Sequence, residues 1–397
     1  MIVKLNFTDL IKGITILLLI SIFVFNIQEY AFYLNITSIT NKISFIYKIG
    51  KDLGFILIIT LSFFHCIYIK RISIFFPFFY SLILYILCAI LLTNNIMLAL
   101  SGIRWILPIF LILCYIPYID KKFMEKITKT LYYLLIVQVV FQLLQILFMP
   151  PIYGTNILGL SARNPGFLVY PSTAGLFANT CFIFCYIFKK YKFYIPLVLL
   201  SLLICMSSTG MFIFLIICFF LKIFHSKHFK LLLVSLPLIA IIIFANLDTL
   251  TGREAGSSDI SSGTRIEILK ESLNDINIIS DKFGTATNTA VGLNIKDSFI
   301  ADSSYTSVLV NLGGIGIFFV LTFLGFVAIY SLKRRRKNIL LFLILWALGG
   351  VSIIITENFP MNLLFAISVS YYLKKEYILY NTNNKRKKEN YAKTITN

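Results

Sequence analysis

Residues 305–332 read YTSVLVNLGGIGIFFVLTFLGFVAIYSL, and the basic run Lys333 to Lys337 follows directly. An apolar stretch of about 20 residues is long enough to cross the hydrocarbon core of a membrane as a helix. This run therefore predicts a transmembrane helix. Lysine and arginine accumulate on the cytoplasmic side of membrane proteins, so the basic run places the end of this helix inside and its beginning outside.

Similar apolar runs occur along the rest of the chain. Of its 397 residues, 58% are hydrophobic and only 13% are charged, whereas a soluble domain has about 25% charged residues. We predict an all-α, polytopic integral membrane protein with about 12 transmembrane helices. The predicted spans are 10–27, 53–69, 73–93, 97–118, 131–149, 166–188, 194–206, 210–224, 231–246, 305–332, 338–356 and 360–373.

The seventh and eighth predicted spans are short. The polar residues 207–210, Ser-Ser-Thr-Gly, separate them. Such a stretch is either a tight turn between two helices or a break within one long helix.

The distribution of basic residues predicts the orientation. Most of the 36 Lys and Arg residues fall in segments that are cytoplasmic if the N-terminus is inside, which agrees with the positive-inside rule. The net charge of +19 thus reflects membrane topology, and we expect no nucleic-acid partner. The N-terminal apolar run lacks a small-residue cleavage site and is interpreted as a retained first span. We expect a bacterial cytoplasmic membrane protein with both termini in the cytoplasm.

Four regions follow from this topology. Residues 1–246 carry predicted spans one to nine, 247–304 form a large extracytoplasmic loop, 305–373 carry the last three spans, and 374–397 are a basic cytoplasmic tail. The seven cysteines all lie inside apolar runs, and the sequence has no His/Cys cluster. We therefore predict neither a disulfide framework nor a metal site.

The extracytoplasmic loop is too long for a plain connection. Within it, the apolar residues Ile266, Leu269, Leu273 and Ile276 recur at helical spacing. Thr264 and Glu267 have the S/T-x-x-E form of a capping box. The loop is therefore predicted to contain a short amphipathic helix on the surface of the membrane domain, followed by an irregular stretch at residues 284–288.

Two loop residues have alternative interpretations. Arg265 falls in the first turn of the predicted helix, where it either binds a phosphate group together with the helix N-terminus or pairs with a carboxylate or water. Asp302, just before the tenth span, is either the N-cap of that helix or a carboxylate that accepts a proton or orients a sugar hydroxyl.

Polar groups at membrane depth add further candidates. Arg104 lies in the outer half of the fourth span, where a charge indicates either a functional group or a structural ion pair. The glutamines at 138, 142 and 145 share one helix face, which interhelical hydrogen bonding explains without a ligand. Arg163 precedes the sixth span on the same outer side. Arg104, Arg163 and Arg265 together suggest an anion site.

Four motifs, taken with this layout, resemble a known family. They are SGIRWILP (101–108) in an early span, ARNPGFLVYPSTAG (162–175) entering a middle span, SSGTRIEILKESL (261–273) in the outer loop and ADSSYTSVLVNLGGIGI (301–317) at re-entry into the membrane. The chain resembles the O-antigen and capsular polysaccharide polymerases (Wzy-type), which belong with the O-antigen ligases in one broad superfamily.

The resemblance implies a glycosyltransferase that acts on the outer face of the membrane. Its donor is an undecaprenyl-pyrophosphate-linked glycan, its acceptor is the sugar end of another lipid-linked repeat unit, and no metal or cofactor takes part. The products expected of such an enzyme are O-antigen of lipopolysaccharide, capsule or exopolysaccharide. The lipid bilayer and a chain-length regulator protein are the other expected partners.

The resemblance also assigns roles to residues. Arg163 and Arg265 correspond to arginines that hold the donor pyrophosphate, with Arg104 as a third member. Asp302 is the first candidate for a catalytic base, and Glu267 is the second. Further candidates for substrate binding are Gln142 and Tyr305.

One departure from the superfamily bears on the reaction. The ligases carry a histidine just before the span where this chain reads Asp302-Ser303-Ser304-Tyr305, and the outer loop contains no histidine. The sequence therefore favours a polymerase. The alternatives are an O-antigen ligase-type glycan transferase and a lipid-linked oligosaccharide flippase or other transporter.

Overall fold

The computed structural model describes residues 7–22, 40–69, 76–93, 95–148, 153–157, 160–168, 170–188, 191, 193–221, 267–274, 277–296, 298–299, 301 and 303–375. Of residues 40–49, 66–69, 76–79, 82, 148, 153–157 and 160–163 it describes the backbone alone.

The described residues in the first part of the chain are mostly helical. The helices among the described residues there are α1 (Phe7–Ile20), α2 (Thr40–Ile69), α3 (Phe76–Leu92), α4 (Ile96–Tyr115) and α5 (Lys121–Phe148). Asn95 caps α4, since its side chain accepts hydrogen bonds from the backbone N–H groups of Met97 and Leu98. Helix α5 begins ten residues before the predicted span because Asp120 accepts the N–H of Phe123 at 2.7 Å and so caps it at Lys121.

A β-hairpin that the sequence did not predict follows α5. Strand β1 (Tyr153–Ile157) pairs with the antiparallel strand β2 (Leu160–Arg163). A single turn of 3₁₀ helix (Gly166–Leu168) then leads into α6 (Pro171–Phe188), α7 (Tyr194–Cys205) and α8 (Ser208–Leu221).

Helix α6 lies at the centre of the described bundle. Residues 173–185 are all buried, and α6 packs against α5, α7 and α8. Its contact with α8 depends on two glycines, because a Cβ atom on Gly210 would lie only 2.7 Å from the Cα atom of Gly175. Small residues of this kind allow two helix backbones to approach closely.

Residues 206–207 form a tight turn, which decides between the two interpretations left open by the sequence. Met206 has a left-handed backbone (φ 47°, ψ 41°) and ends α7. The ring of Phe182, in α6, contacts both Tyr194 at the start of α7 and Phe214 in α8. Helices α7 and α8 therefore both lie along α6 and run in opposite directions.

The remaining described elements follow residue 266. They are α9 (267–274), the short helix α10 (Asn288–Gly292), α11 (Ser304–Lys333), α12 (Lys337–Ser352) and α13 (361–375). Ser303 caps α11 by accepting the N–H of Thr306 at 3.1 Å. Ser303 therefore holds the N-cap position that was one of the two alternatives for Asp302, and Asp302 itself lies outside the described residues.

Four of the helices are long and apolar enough to cross a membrane: Ile96–Tyr115, Lys121–Leu147, Pro171–Phe188 and Ser304–Lys333. They correspond to the fourth, fifth, sixth and tenth predicted spans. Shorter apolar helices occupy Ile83–Leu92, Tyr194–Cys205, Ser208–Leu221 and Lys337–Ser352. This helical fold is compatible with a membrane protein. The ninth predicted span, 231–246, lies outside the described residues.

The bundle has two chemically different ends. At one end, Lys12 of α1 pairs with Asp120, and Lys374 of α13 donates hydrogen bonds to the carbonyls of Pro117 and Ile119. We call this the basic end. At the other, described residues of 277–304 contact the beginning of α4 and the non-helical segment 353–360. We call this the loop end.

Candidate functional site

A cluster of charged side chains lies at the loop end. Arg104 of α4 donates from Nε to Oδ2 of Asp52 in α2 at 2.7 Å, and from Nη1 to the hydroxyl of Thr289 in α10 at 2.6 Å. The side chain of Arg104 is 27% exposed and that of Asp52 is 20% exposed. The guanidinium is thus fixed in place by two other elements, and the Arg104 side chain remains partly exposed.

Glu357 completes the cluster. Its Oε2 accepts the backbone N–H of Asn288 at 2.7 Å. Its Oε1 accepts both the backbone N–H of Thr289 at 3.3 Å and the hydroxyl of Thr289 at 3.1 Å. Asp52, Arg104, Thr289 and Glu357 therefore form one continuous hydrogen-bonded chain, which we call the Arg104 cluster.

The environment of Glu357 raises the pKa of its carboxyl group. Burial is the largest cause, because it disfavours the charged form. The hydrogen bonds from Asn288 and Thr289 and the charge of Arg104 act in the opposite direction without cancelling that effect. A carboxyl group with raised proton affinity beside a fixed cation is the kind of group that takes part in acid–base chemistry.

The segment before α10 holds Thr289 in place through main-chain packing. Gly284 has a positive φ of 88°, and a Cβ atom there would lie 1.9 Å from the carbonyl oxygen of Leu98 in α4. Its carbonyl accepts the hydroxyl of Ser101 at 2.9 Å. Asn311 of α11 accepts the backbone N–H groups of Gly284 and Ala286. Residues 283–287 are buried, so this stretch is inserted between α4 and α11.

A break in α11 receives the start of this segment. Gly313 has φ 73° and ψ −167°, a backbone conformation outside any helix. The N–H groups of Gly314 and Ile315, which have lost their helical partners, donate instead to the carbonyls of Asn277 and Ile278 at 3.0 and 3.2 Å. The carbonyls of residues 277–278 thus satisfy the backbone N–H groups that the break leaves without helical partners.

A second polar group surrounds the chain that follows Arg163. Gln138 donates to the carbonyl of Pro165 at 2.6 Å, and Gln145 accepts the N–H of Gly166 at 2.9 Å. Gln142 donates to the carbonyls of Asn164 and Ser201. All three glutamines are fully buried. They fasten residues 164–166 to α5 and α7.

The predicted site residues fall in different places. Arg163 ends strand β2, directly before the segment held by the glutamines. Glu267 is exposed on α9. Tyr305 is partly buried and donates its hydroxyl to the carbonyl of Ala347 at 2.8 Å. Arg265 and Asp302 lie outside the described residues.

Helix α9 agrees in position with the predicted amphipathic helix. Its apolar residues Leu269 and Leu273 are 38% and 49% exposed, so they do not pack into the described bundle. The stretch 284–287 is irregular, as expected, but it is buried rather than superficial, and Asn288 begins a helix. The insertion of this stretch between α4 and α11 explains the difference.

The sequence interpretation missed Asp52, Thr289 and Glu357. For Glu357 a signal was present, because it is the only acidic residue between Ser303 and Lys375. No such signal marked Thr289, because small hydroxyl residues are common in that loop. The interpretation did identify Arg104. Its partner Asp52 supports the structural ion pair that was one of the two alternatives for this residue.

No group of three or more His, Cys, Asp or Glu side chains that could hold a metal ion occurs in the part of the chain that the structure describes. No protein-family model, no curated protein and no solved structure matches the chain.

Proposed function

We propose that this protein polymerises undecaprenyl-pyrophosphate-linked oligosaccharide repeat units into O-antigen, capsule or exopolysaccharide. The reaction takes place on the outer face of a bacterial cytoplasmic membrane, which the loop end faces. The observation that carries the proposal is the Arg104 cluster, in which one threonine hydroxyl joins the guanidinium of a partly exposed arginine to a half-buried carboxylate.

Arg104 suits a diphosphate leaving group. A guanidinium has five N–H donors, and its bonds to Asp52 and Thr289 use two of them. The pyrophosphate of a lipid-linked donor develops negative charge as the sugar leaves, and a positioned cation stabilises that charge. By resemblance, Arg163 and Arg265 contribute to the same phosphate site.

The distribution of lysines between the two ends supports placing the loop end on the outer face of the membrane. The basic end brings together Lys12, Lys374 and the beginning of α5, where Lys121 and Lys122 are exposed. A cytoplasmic position of these lysines agrees with the positive-inside rule. The Arg104 cluster, at the opposite end, then meets substrates outside the cytoplasm.

The test is a reconstituted elongation assay. Purified protein in lipid nanodiscs receives undecaprenyl-pyrophosphate-linked repeat units, and the products are separated by length. We expect a ladder of glycans with increasing numbers of repeat units. Transfer to a different lipid acceptor without elongation would indicate a ligase. In proteoliposomes, movement of repeat units across the bilayer without elongation would indicate a flippase and contradict the proposal.

A further inference from the structure

Glu357 is oriented in a way that leaves it able to take a proton. It lies in the non-helical segment 353–360 between α12 and α13, and its oxygens accept three hydrogen bonds from Asn288 and Thr289. An ionised carboxylate offers about four lone-pair positions. The three bonds fix the direction of the carboxylate and leave one position for a further hydrogen.

We propose that Glu357 is the general base of the glycosyl transfer, an inference that rests on the polymerase function proposed above. The acceptor hydroxyl attacks the anomeric carbon of the donor glycan. A new C–O bond to the acceptor forms while the C–O bond to the pyrophosphate breaks. The hydroxyl proton passes to Glu357, and the electron pair of the broken bond leaves with undecaprenyl pyrophosphate.

The position of Arg104 agrees with a reaction in which Glu357 accepts the proton and Arg104 stabilises the leaving pyrophosphate. The hydroxyl of Thr289 accepts from Nη1 of Arg104 and donates to Oε1 of Glu357, so the cation and the base are one hydroxyl apart. The reaction needs a cation beside the leaving group and a base beside the nucleophile, both within reach of one sugar. Asp52 suits the role of base less well because its Oδ2 already accepts Nε of Arg104.

The charged groups around Glu357 determine the expected pH dependence. Arg104 lies on α4, and Asp52 and Lys51 lie on α2, with Nζ of Lys51 6.0 Å from the ring of Phe359. The net effect of the surroundings, with burial the largest contribution, is a raised pKa of Glu357. A base must be deprotonated, so the rate should rise with pH through that pKa, above the ordinary range of a glutamate.

A competing explanation is that Glu357 only fastens α10. The same helix has another polar support, since Thr287 accepts the N–H of Ala290 at 3.1 Å and donates to the carbonyl of Gly284 at 2.9 Å. Thr287→Ala should loosen α10 but keeps the carboxyl group of Glu357 in the chain. This variant is therefore the matched control for Glu357→Gln.

The experiment measures elongation rates in nanodiscs as a function of pH. We expect Glu357→Gln to lose about 10²–10⁴-fold in rate and to lose the rise of rate with pH. Glu357→Asp should keep a reduced rate and a pH-dependent rise, and Thr287→Ala should keep the pH profile of the wild type. Formate, a small carboxylate, should restore part of the rate of Glu357→Ala.

Several results would overturn the assignment. One is a wild-type elongation rate that does not rise with pH above the ordinary pKa range of a carboxyl group. This measurement needs no variant that might misfold. Another is a Glu357→Gln enzyme with the wild-type pH profile, or an equal loss in Thr287→Ala. A wild type that never elongates at any pH instead contradicts the proposed polymerase itself, and the base assignment then fails with it.

Discussion

At the scale of single residues, Asp120 joins α1 to the start of α5 at the basic end. Its Oδ2 lies 2.5 Å from Nζ of Lys12, and its Oδ1 accepts the N–H of Phe123. Burial acts to raise the pKa of Asp120, but these two hydrogen bonds and the charges of Lys12 and Lys374 outweigh it, so the pKa is lowered. The ionised form is therefore favoured in the folded protein.

This lowered pKa predicts a pH-dependent stability. A carboxyl group with a depressed folded-state pKa stabilises the protein above its unfolded pKa, and the contribution is lost as the pH falls through the folded pKa. Asp120→Asn retains the helix cap and removes the ion pair, at a cost of about 0–1 kcal/mol near neutral pH. Asp120→Ala removes the cap as well and should cost about 1 kcal/mol more.

Thermal unfolding of the detergent-solubilised protein over a range of acidic pH checks this prediction. The wild type should lose stability on acidification more steeply than Asp120→Asn does. Equal slopes for the two proteins, or an Asp120→Ala variant as stable as Asp120→Asn, would show that the carboxylate does not act in this way.

At the scale of elements, Gly313 marks the place where α11 opens to receive residues 277–278. Its φ of 73° and ψ of −167° belong to a region that almost only glycine occupies. A Cβ atom there would lie 2.7 Å from the carbonyl oxygen of Asn277 and 2.9 Å from that of Ile278. Gly313→Ala should therefore destabilise the protein by at least about 1–3 kcal/mol.

Gly325, in the same helix, is the matched control for this substitution. A Cβ atom at Gly325 meets nothing within 4 Å, and alanine favours a helix over glycine by about 0.5–1 kcal/mol. Gly325→Ala should leave the unfolding temperature unchanged or raise it. The account of the break would be contradicted if both variants unfolded at the same temperature.

The break also shows what the sequence could and could not predict. Long apolar runs such as 305–332 identify membrane-length helices, because length and composition alone decide that property. Gly313 lies among Asn311, Gly314 and Gly316 in that run, but composition does not show the break, because the interruption depends on carbonyls that come from residues 277–278. In the same way, the contact of Glu357 with Thr289 joins residues distant in sequence. Arg104 was predictable because a charge inside an apolar run needs a partner.

At the scale of the whole molecule, the two ends should lie on opposite sides of the membrane. Lys296, after α10, and Lys122, at the start of α5, are both exposed and mark the loop end and the basic end. In a background with the native cysteines replaced, Lys296→Cys should react with a membrane-impermeant maleimide in intact spheroplasts. Lys122→Cys should react only after permeabilisation. The reverse labelling pattern would place the Arg104 cluster in the cytoplasm.

The proposed function requires that lipid-linked glycans are elongated at the Arg104 cluster. The most direct measurement compares glycan ladders made by the wild type and by Arg104→Ala, each reconstituted at equal amounts of folded protein. The proposal predicts a ladder from the wild type and at most single repeat units from Arg104→Ala, because removing a transition-state charge stabiliser costs about 10²–10³-fold in rate. A ladder of unchanged length and rate from Arg104→Ala would contradict it.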